Sequence, residues 1–173
     1  TLFRSLYFTP ITYPSPEPGE VRRIDPDPFS GFILSFQPCR PTSRGTIEIG
    51  GDDPDARPRI QPNYMTTEQD LAEAVAGGRL VPRLEATPAF KAITKETIPP
   101  VLGAMDDAAI LADFRARAST VFHPTSTCRM GSSARDAVVD DRGRVFGVEG
   151  LRVVDASIFP TVTSGNTNAA TIM

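Results

Sequence analysis

Apolar and polar residues in the first part of the chain follow a strand-like pattern between proline-rich segments. Phe32–Gln37 is a short apolar run of β-prone residues, and Thr46–Ile49 alternates with period two, which is typical of a half-buried strand. Turn-forming residues fill Arg40–Gly45 between them, so we predict that these two runs form a strand pair. Residues 1–30 and Asp52–Asn63 are rich in proline, which predicts irregular structure in both.

Two helices are predicted further along the chain. The first starts after Thr66, which resembles a capping box with Gln69 three residues later. Its apolar residues recur at roughly helical spacing: Leu71, Ala74, Val75, Leu80 and Leu84. The pair Gly77-Gly78 and Pro82 are expected to weaken or kink this helix. The second helix is predicted at about Asp107 to Arg117, with acidic residues near its N-terminus as the helix dipole favours.

The last third of the chain changes to short strands and turns. Val138–Asp140 and Arg144–Val148 are predicted as strand pieces joined by a turn at Asp141–Gly143. Leu151–Asp155 has the composition of a compact buried strand that ends in an acid. A helix is predicted to begin after Asn168 and to cover residues 169–173.

Composition excludes several classes of protein. The 173 residues, 40% apolar and 23% charged, are enough for one domain with a core. The net charge of −3 comes without a basic stripe, which argues against a nucleic-acid partner. No apolar run approaches the roughly 18 residues that a membrane span needs. One His and two Cys supply too few ligands for a metal site.

The two cysteines indicate the redox state of the compartment in which the protein is found. Cys39 and Cys128 lie far apart and neither belongs to a CxxC pair, so we expect two free thiols in a reducing, cytoplasmic environment. No signal peptide is visible. The chain opens on Thr1 in mid-pattern, so we expect that its natural N-terminus lies further upstream, and secretion stays open.

His123 is the only histidine and the residue best suited to proton transfer near neutral pH. It opens a loop rich in Thr, Ser and Gly, which favours a chemical role, although a hydrogen-bonded histidine without one is the alternative. Asn166 and Asn168 precede a helix start, where unpaired N–H groups gather and can stabilise an anion or an electron-rich cofactor edge. Simple N-capping by either amide is the alternative reading.

The sequence allows two roles for each of two further residues. Asp155, at a strand end, is suited to contact a cofactor sugar or phosphate, or to cap the turn that follows it. Cys128 stands beside Arg129 as a reactive thiol would, but we interpret it as packing. No GxGxxG fingerprint occurs, so the chain cannot hold a whole dinucleotide cofactor alone by that route.

The order and spacing of residues over the last fifty positions resemble the C-terminal signature of glucose–methanol–choline oxidoreductases. The matching segments are His123–Gly131, Ala137–Asp140, Arg144–Ser157 and Pro160–Asn168. Arg40–Gly45 and Asp53–Tyr64 also look like substrate-domain strands of that family and the loop after them. The resemblance covers about residues 30–173.

The resemblance implies an FAD-dependent enzyme that oxidises a small alcohol to a carbonyl compound. It puts His123 at the position of the base that takes the alcohol proton, and Asn166 at the position of its partner, which is Asn in choline-dehydrogenase-like members. An amide orients the substrate oxygen and cannot act as a second base. The implied cofactor-binding residues are Asp155 and Ala156 near the FAD pyrophosphate and Asn166, Thr167 and Asn168 near the isoalloxazine.

The fold implied is mixed α+β and α/β. Residues 1–122 would be part of an antiparallel-sheet substrate domain with helices, and residues 123–173 would carry the catalytic loop and return into the FAD-binding α/β domain. The N-terminal FAD-binding segment would be a necessary partner, so we expect a fragment; the oligomeric state stays open. Family lyases and photodecarboxylases are alternatives, as is a non-catalytic remnant; having both His123 and Asn166 argues against a photodecarboxylase.

Overall fold

A computed structural model describes residues 4–14 and 25–173 of the chain. It divides into two compact units. The first contains the described residues up to Pro38 together with Glu68–Ser119, and the second contains Cys39–Thr67 together with Thr120–Met173. The division into domains at residues 1–122 and 123–173 stays a prediction.

The first unit contains an antiparallel pair, strands β1 (Arg4–Thr9) and β2 (Ile33–Pro38). The prediction that residues 1–30 are irregular is wrong for β1, which ends directly before Pro10; residues 1–3 and 15–24 lie outside the described residues. The predicted pairing of Phe32–Gln37 with Thr46–Ile49 is also wrong. A strand pairs with whichever edge tertiary packing brings to it, and here that edge is β1.

Helix α1 (Glu68–Glu85) continues through both glycines and Pro82 as one helix. A Cβ added at Gly77 would lie 2.2 Å from ring atoms of Phe36 on β2, and one at Gly78 would lie 2.6 Å from Ile110. The glycines therefore allow close packing against neighbouring elements. The sequence had instead predicted that they would weaken or kink the helix. The capping-box prediction is not supported, because Thr66 lies two residues before the first residue of α1 and its hydroxyl donates to the carbonyl of Asn63.

Helices α2 (Pro88–Ile93) and α3 (Asp107–Arg117) complete the first unit. The prediction of α3 is confirmed at both ends. The carboxylate of Asp106 accepts a hydrogen bond from the N–H of Ala109 at 2.8 Å and so caps this helix. Arg79 of α1 binds Asp107 at 2.6 Å. Among the described residues of this unit, Ala74, Val81 and Ile110 are buried and apolar.

The second unit begins with strands β3 (Thr46–Glu48) and β4 (Arg59–Gln61), which are paired antiparallel. β4 lies inside the segment Asp52–Asn63 that was predicted to be a loop, so that prediction is wrong for these three residues. Gly45 lets the chain pass close to the end of β4, since a Cβ there would lie 2.3 Å from the carbonyl oxygen of Gln61.

Short bridges organise the rest of this unit. Val139, fully buried, bridges Met130 on one side and Val145 on the other. The predicted turn at Asp141–Gly143 is confirmed: the N–H of Gly143 donates to the carbonyl of Asp140 and Gly143 has a φ of +71°. The fold is thus confirmed at the coarse level of a mixed helix and strand chain with small antiparallel sheets.

Leu151–Asp155 is not a buried strand in this structure. Leu151 is 50% exposed and Val154 is 80% exposed, and the segment makes one isolated bridge, between Arg152 and Arg144. An apolar run can be buried only where neighbouring strands or helices cover it. Helix α4 (Asn168–Ile172) then ends the described chain, close to its predicted position. In the part of the chain that is described, each helix is too short or too polar to span a bilayer.

Candidate functional site

His123 lies in a loop whose backbone is held in an uncommon conformation. Phe122, directly before it, has a φ of +60°, and Ser126, three residues after it, has a φ of +74°. For non-glycine residues this left-handed region costs of the order of 1 kcal/mol or more, and such residues cluster at functional sites. The N–H of Phe122 donates to the hydroxyl of Thr120 at 3.0 Å, which stabilises the turn into His123.

The imidazole of His123 is half-buried and bound to one side chain distant in sequence. Its Nδ1 lies 3.0 Å from Oγ1 of Thr167, a residue that is only 8% exposed. Since Nδ1 is occupied by this hydrogen bond, Nε2 is the ring nitrogen left for another partner. The structure thus joins the loop at residue 123 to the start of α4, 44 residues later.

Asn166 and Asn168 flank Thr167 and are both exposed. The N-cap of α4 is Thr167, and Asn168 is the first helical residue. The alternative in which one of these amides acts as the N-cap is therefore wrong. Two exposed amides stand on either side of the residue that binds His123, and each can both donate and accept hydrogen bonds.

Asp155 and Ala156 stand at a different point of the unit. The carboxylate of Asp155 accepts a hydrogen bond from the N–H of Ser157 at 2.8 Å and caps a short 3₁₀ turn at Ala156–Ile158. Hydrogen bonds from the side chain and then the backbone of Ser157 hold the pKa of Asp155 below its ordinary value. The capping alternative for Asp155 is confirmed; a cofactor contact at Asp155 or half-buried Ala156 stays a prediction.

This turn is attached to the loop that follows His123. The N–H of Cys128 donates to the carbonyl of Ser157 at 3.0 Å, and the N–H of Met130 donates to the carbonyl of Ile158 at 2.8 Å. Two backbone bonds therefore connect the segment after His123 with the segment after Asp155. Cys128 is half-buried and free, and Cys39 is buried and free.

Arg40 makes a contact in this region, with Ser164, that the sequence did not indicate. Its Nε donates to Oγ of Ser164 at 2.8 Å, which joins the loop before β3 to the segment that leads into Asn166. The two residues are separated by 124 positions, and no local pattern predicts such a pair. The bond is exposed, so we expect it to orient the segment more than to stabilise it.

The residues before α4 fit a flavin in their chemistry. A Cβ built on Gly165 would meet no heavy atom within 4 Å, so there is open space beside the chain directly before Asn166. The exposed amides of Asn166 and Asn168 offer both donors and acceptors to a polar ring edge. Among the described residues, no group of three or more His, Cys, Asp or Glu side chains is placed to hold a metal ion.

Comparison with known proteins points to one family. The C-terminal family model of GMC oxidoreductases matches residues 41–173. The oxygen-dependent choline dehydrogenase of Proteus mirabilis strain HI4320 is 45% identical over 143 residues, which are 83% of this chain and 26% of that protein. The enzyme of the same name from Pseudomonas fluorescens strain Pf0-1 is 43% identical over 143 residues. The chain spans about a quarter of the length of these curated relatives.

Solved structures agree with this result. Pyridoxine 4-oxidase from Mesorbium loti superimposes with a TM-score of 0.75 at 35% identity, over 83% of this chain and 28% of that one. A fungal aryl-alcohol oxidase does so with a TM-score of 0.70 at 28% identity, over 83% of this chain and 24% of that one. The family model covers well over half of the chain, and the chain therefore belongs to the GMC oxidoreductase family.

Proposed function

We propose that this chain is the catalytic C-terminal part of an FAD-dependent enzyme that oxidises a small alcohol to the carbonyl compound, with His123 as the base. The observation that carries the proposal is the 3.0 Å hydrogen bond between Nδ1 of His123 and Oγ1 of Thr167, because Thr167 lies between two exposed amides in the sequence. Two curated relatives, 45% and 43% identical to this chain, are named as oxygen-dependent choline dehydrogenases. Choline and aryl alcohols share an alcohol group, which supports that class of substrate.

Each residue has a distinct task in this proposal. Nε2 of His123 takes the proton of the alcohol oxygen, because Nδ1 is bound to Thr167. The amide of Asn166 donates to the same oxygen and orients it, since an amide has no useful basicity. Bound FAD supplies the acceptor for the hydride that leaves the alcohol carbon. Loss of the proton and of the hydride from the alcohol would turn its C–O single bond into a carbonyl.

The rest of the cofactor site would come from the N-terminal part of the enzyme. The chain lacks the glycine-rich fingerprint that cradles a pyrophosphate, so that part would be a required partner. Asp155 and Ala156 would lie on the pyrophosphate side of FAD, and Asn166, Thr167 and Asn168 on the isoalloxazine side. The exposed apolar face at Leu151 and Val154 supports a return of residues 123–173 into a FAD-binding domain.

The test is the rate at which an alcohol reduces the flavin of the full-length protein. We expect His123→Ala to lower this rate by about 10²- to 10⁴-fold, the usual effect of removing a positioned acid or base. The flavin absorbance of the purified variant should match that of the wild type. We expect Asn166→Ala to slow the same step with FAD still bound.

Stopped-flow absorbance with choline, pyridoxine and benzyl alcohol would identify the substrate class. Thr127→Ala, which removes an exposed hydroxyl from the same loop, is the matched control and should keep the wild-type rate. An unchanged rate in His123→Ala would remove the role of base from that residue. A full-length protein without flavin absorbance would favour a non-catalytic remnant, and loss of flavin in Asn166→Ala would make that residue structural.

A further inference from the structure

Thr167 uses its hydroxyl in an unusual way for its position. It is the N-cap of α4, where a threonine hydroxyl ordinarily accepts a hydrogen bond from a backbone N–H of the first turn. Here the side chain makes no capping bond. The hydroxyl oxygen lies instead 3.0 Å from Nδ1 of His123.

The hydroxyl is held in this direction by its surroundings. Thr167 is 8% exposed, so water has little access to it, and its β-branched side chain has few allowed rotamers. Its carbonyl oxygen accepts from both the N–H of Thr171 at 3.0 Å and the hydroxyl of Thr171 at 2.8 Å. The backbone of Thr167 is therefore anchored to α4, and its hydroxyl is presented to the imidazole.

This contact has a consequence for the position of the ring proton. A neutral imidazole carries one proton, on Nδ1 or on Nε2, and the nitrogen without the proton is the base. A hydroxyl beside Nδ1 can accept from Nδ1–H, which leaves the lone pair on Nε2. The same bond persists after Nε2 takes a proton, since both ring nitrogens are then donors. Proton uptake at Nε2 thus requires no rearrangement of Thr167.

We infer that Thr167 is a positioning residue that accepts a hydrogen bond from Nδ1–H of His123 and so keeps Nε2 available as the base. The inference rests on the proposed function, because it assigns a task to the partner of the proposed base. A hydroxyl is neutral, so it sets the ring orientation and the proton position without adding charge to the imidazolium. Its effect is therefore that of one neutral hydrogen bond, about 3- to 10-fold in rate.

The first measurement locates the proton directly. Ring ¹⁵N shifts of full-length protein, with the His123 signal assigned by its loss in His123→Gln, distinguish Nδ1–H from Nε2–H in the neutral state. We expect Nδ1–H in the wild type and in Thr167→Ser, and a mixture or Nε2–H in Thr167→Val. A neutral wild-type ring protonated on Nε2 would overturn the inference without any variant of Thr167.

The second measurement is kinetic and uses three variants on the same short helix. Thr167→Val, which keeps the shape and removes the hydroxyl, should reduce the flavin about 3- to 10-fold more slowly with substrate affinity unchanged. Thr167→Ser should restore the rate. Thr171→Val removes one of the two bonds to the Thr167 carbonyl and keeps the bond from the N–H of Thr171, so the backbone of Thr167 stays in place. This control variant should therefore keep the wild-type rate and proton position.

The outcomes separate this inference from the proposed function. If His123→Ala loses activity and Thr167→Val retains it, the base is correct and the positioning role of Thr167 is wrong. If His123→Ala retains activity, both are wrong, whatever the ring proton does. Equal losses in Thr167→Val and Thr167→Ser, with an unchanged ring tautomer, would show a packing role and also overturn the inference.

Discussion

The substitution Gly77→Ala tests whether close packing against Phe36 requires a glycine at this position of α1. By helix propensity alone this change would stabilise the protein by about 1 kcal/mol, because alanine loses less conformational entropy than glycine in a helix. The structure predicts the opposite. A Cβ at this position would lie 2.2 Å from two ring carbons of Phe36 and 3.0 Å from a third.

The size of the effect follows from these distances. Carbon atoms pack at about 3.5–4.0 Å, so the ring would have to move by more than about 1 Å. Phe36 is itself packed against Phe114, with ring centroids 5.5 Å apart, which limits that movement. Overpacking of this kind costs typically about 1–3 kcal/mol. We expect the upper end of that range and, after the gain in propensity, a net loss of about 2 kcal/mol.

The assay is equilibrium urea unfolding of the full-length protein, followed by far-ultraviolet circular dichroism. Ala72→Gly, at an exposed position of the same helix, is the matched control and should lose about 1 kcal/mol by propensity alone. Combining Gly77→Ala with Phe36→Leu should recover part of the loss, because the smaller side chain gives way. A Gly77→Ala protein more stable than the wild type would refute the packing argument.

Two further predictions concern the turn after Asp140. The pKa of Asp140 lies below its ordinary value of 3.8. The main cause is a hydrogen bond from the backbone of Arg144, which desolvation opposes, and the Arg144 guanidinium at 2.6 Å adds to the lowering. The resulting stabilisation is present above the ordinary pKa and is lost as the pH falls through the lower pKa of the folded state. Asp140→Asn should therefore be less stable than the wild type at neutral pH, and the difference in stability should shrink below about pH 4. Urea unfolding at pH 7 and pH 3 checks this, and a constant difference contradicts it. Gly143→Ala should lower the melting temperature more than Gly147→Ala. Both glycines have a positive φ, but only a Cβ at residue 143 would meet a carbonyl oxygen, that of Val153 at 2.7 Å. Equal shifts in melting temperature would argue against the clash.

Elements with local signals could be predicted from the chain alone. Helix α3 has an aspartate cap, one further aspartate in its first turn and arginines in its last, all within a dozen residues. The turn at Asp141–Gly143 likewise depends on neighbouring residues, since Asp140 accepts from the N–H groups of Arg142 and Arg144 at 2.9 Å. Such interactions join residues that are close in the sequence, so the sequence alone can indicate them.

Strand pairing could not be predicted in the same way. The runs at β2 and β3 were recognisable as strands, but a strand needs a partner edge, and the partners proved to be β1 and β4. Both partners lie in segments whose prolines suggested irregular structure. Pro10 follows β1 directly, and Pro58 and Pro62 border β4, so these prolines end the strands and do not prevent them.

For the candidate site, the sequence by itself determined which residue types are available: one imidazole, a Gly-Asn-Thr-Asn run before a helix start, and a motif order shared with one enzyme family. Only the tertiary structure decided that Thr167 binds His123 at 3.0 Å and that its two asparagine neighbours remain exposed. The physical reason is distance along the chain. A bond between residues 44 positions apart depends on the packing of everything between them, and no local pattern of hydrophobicity or propensity contains that information.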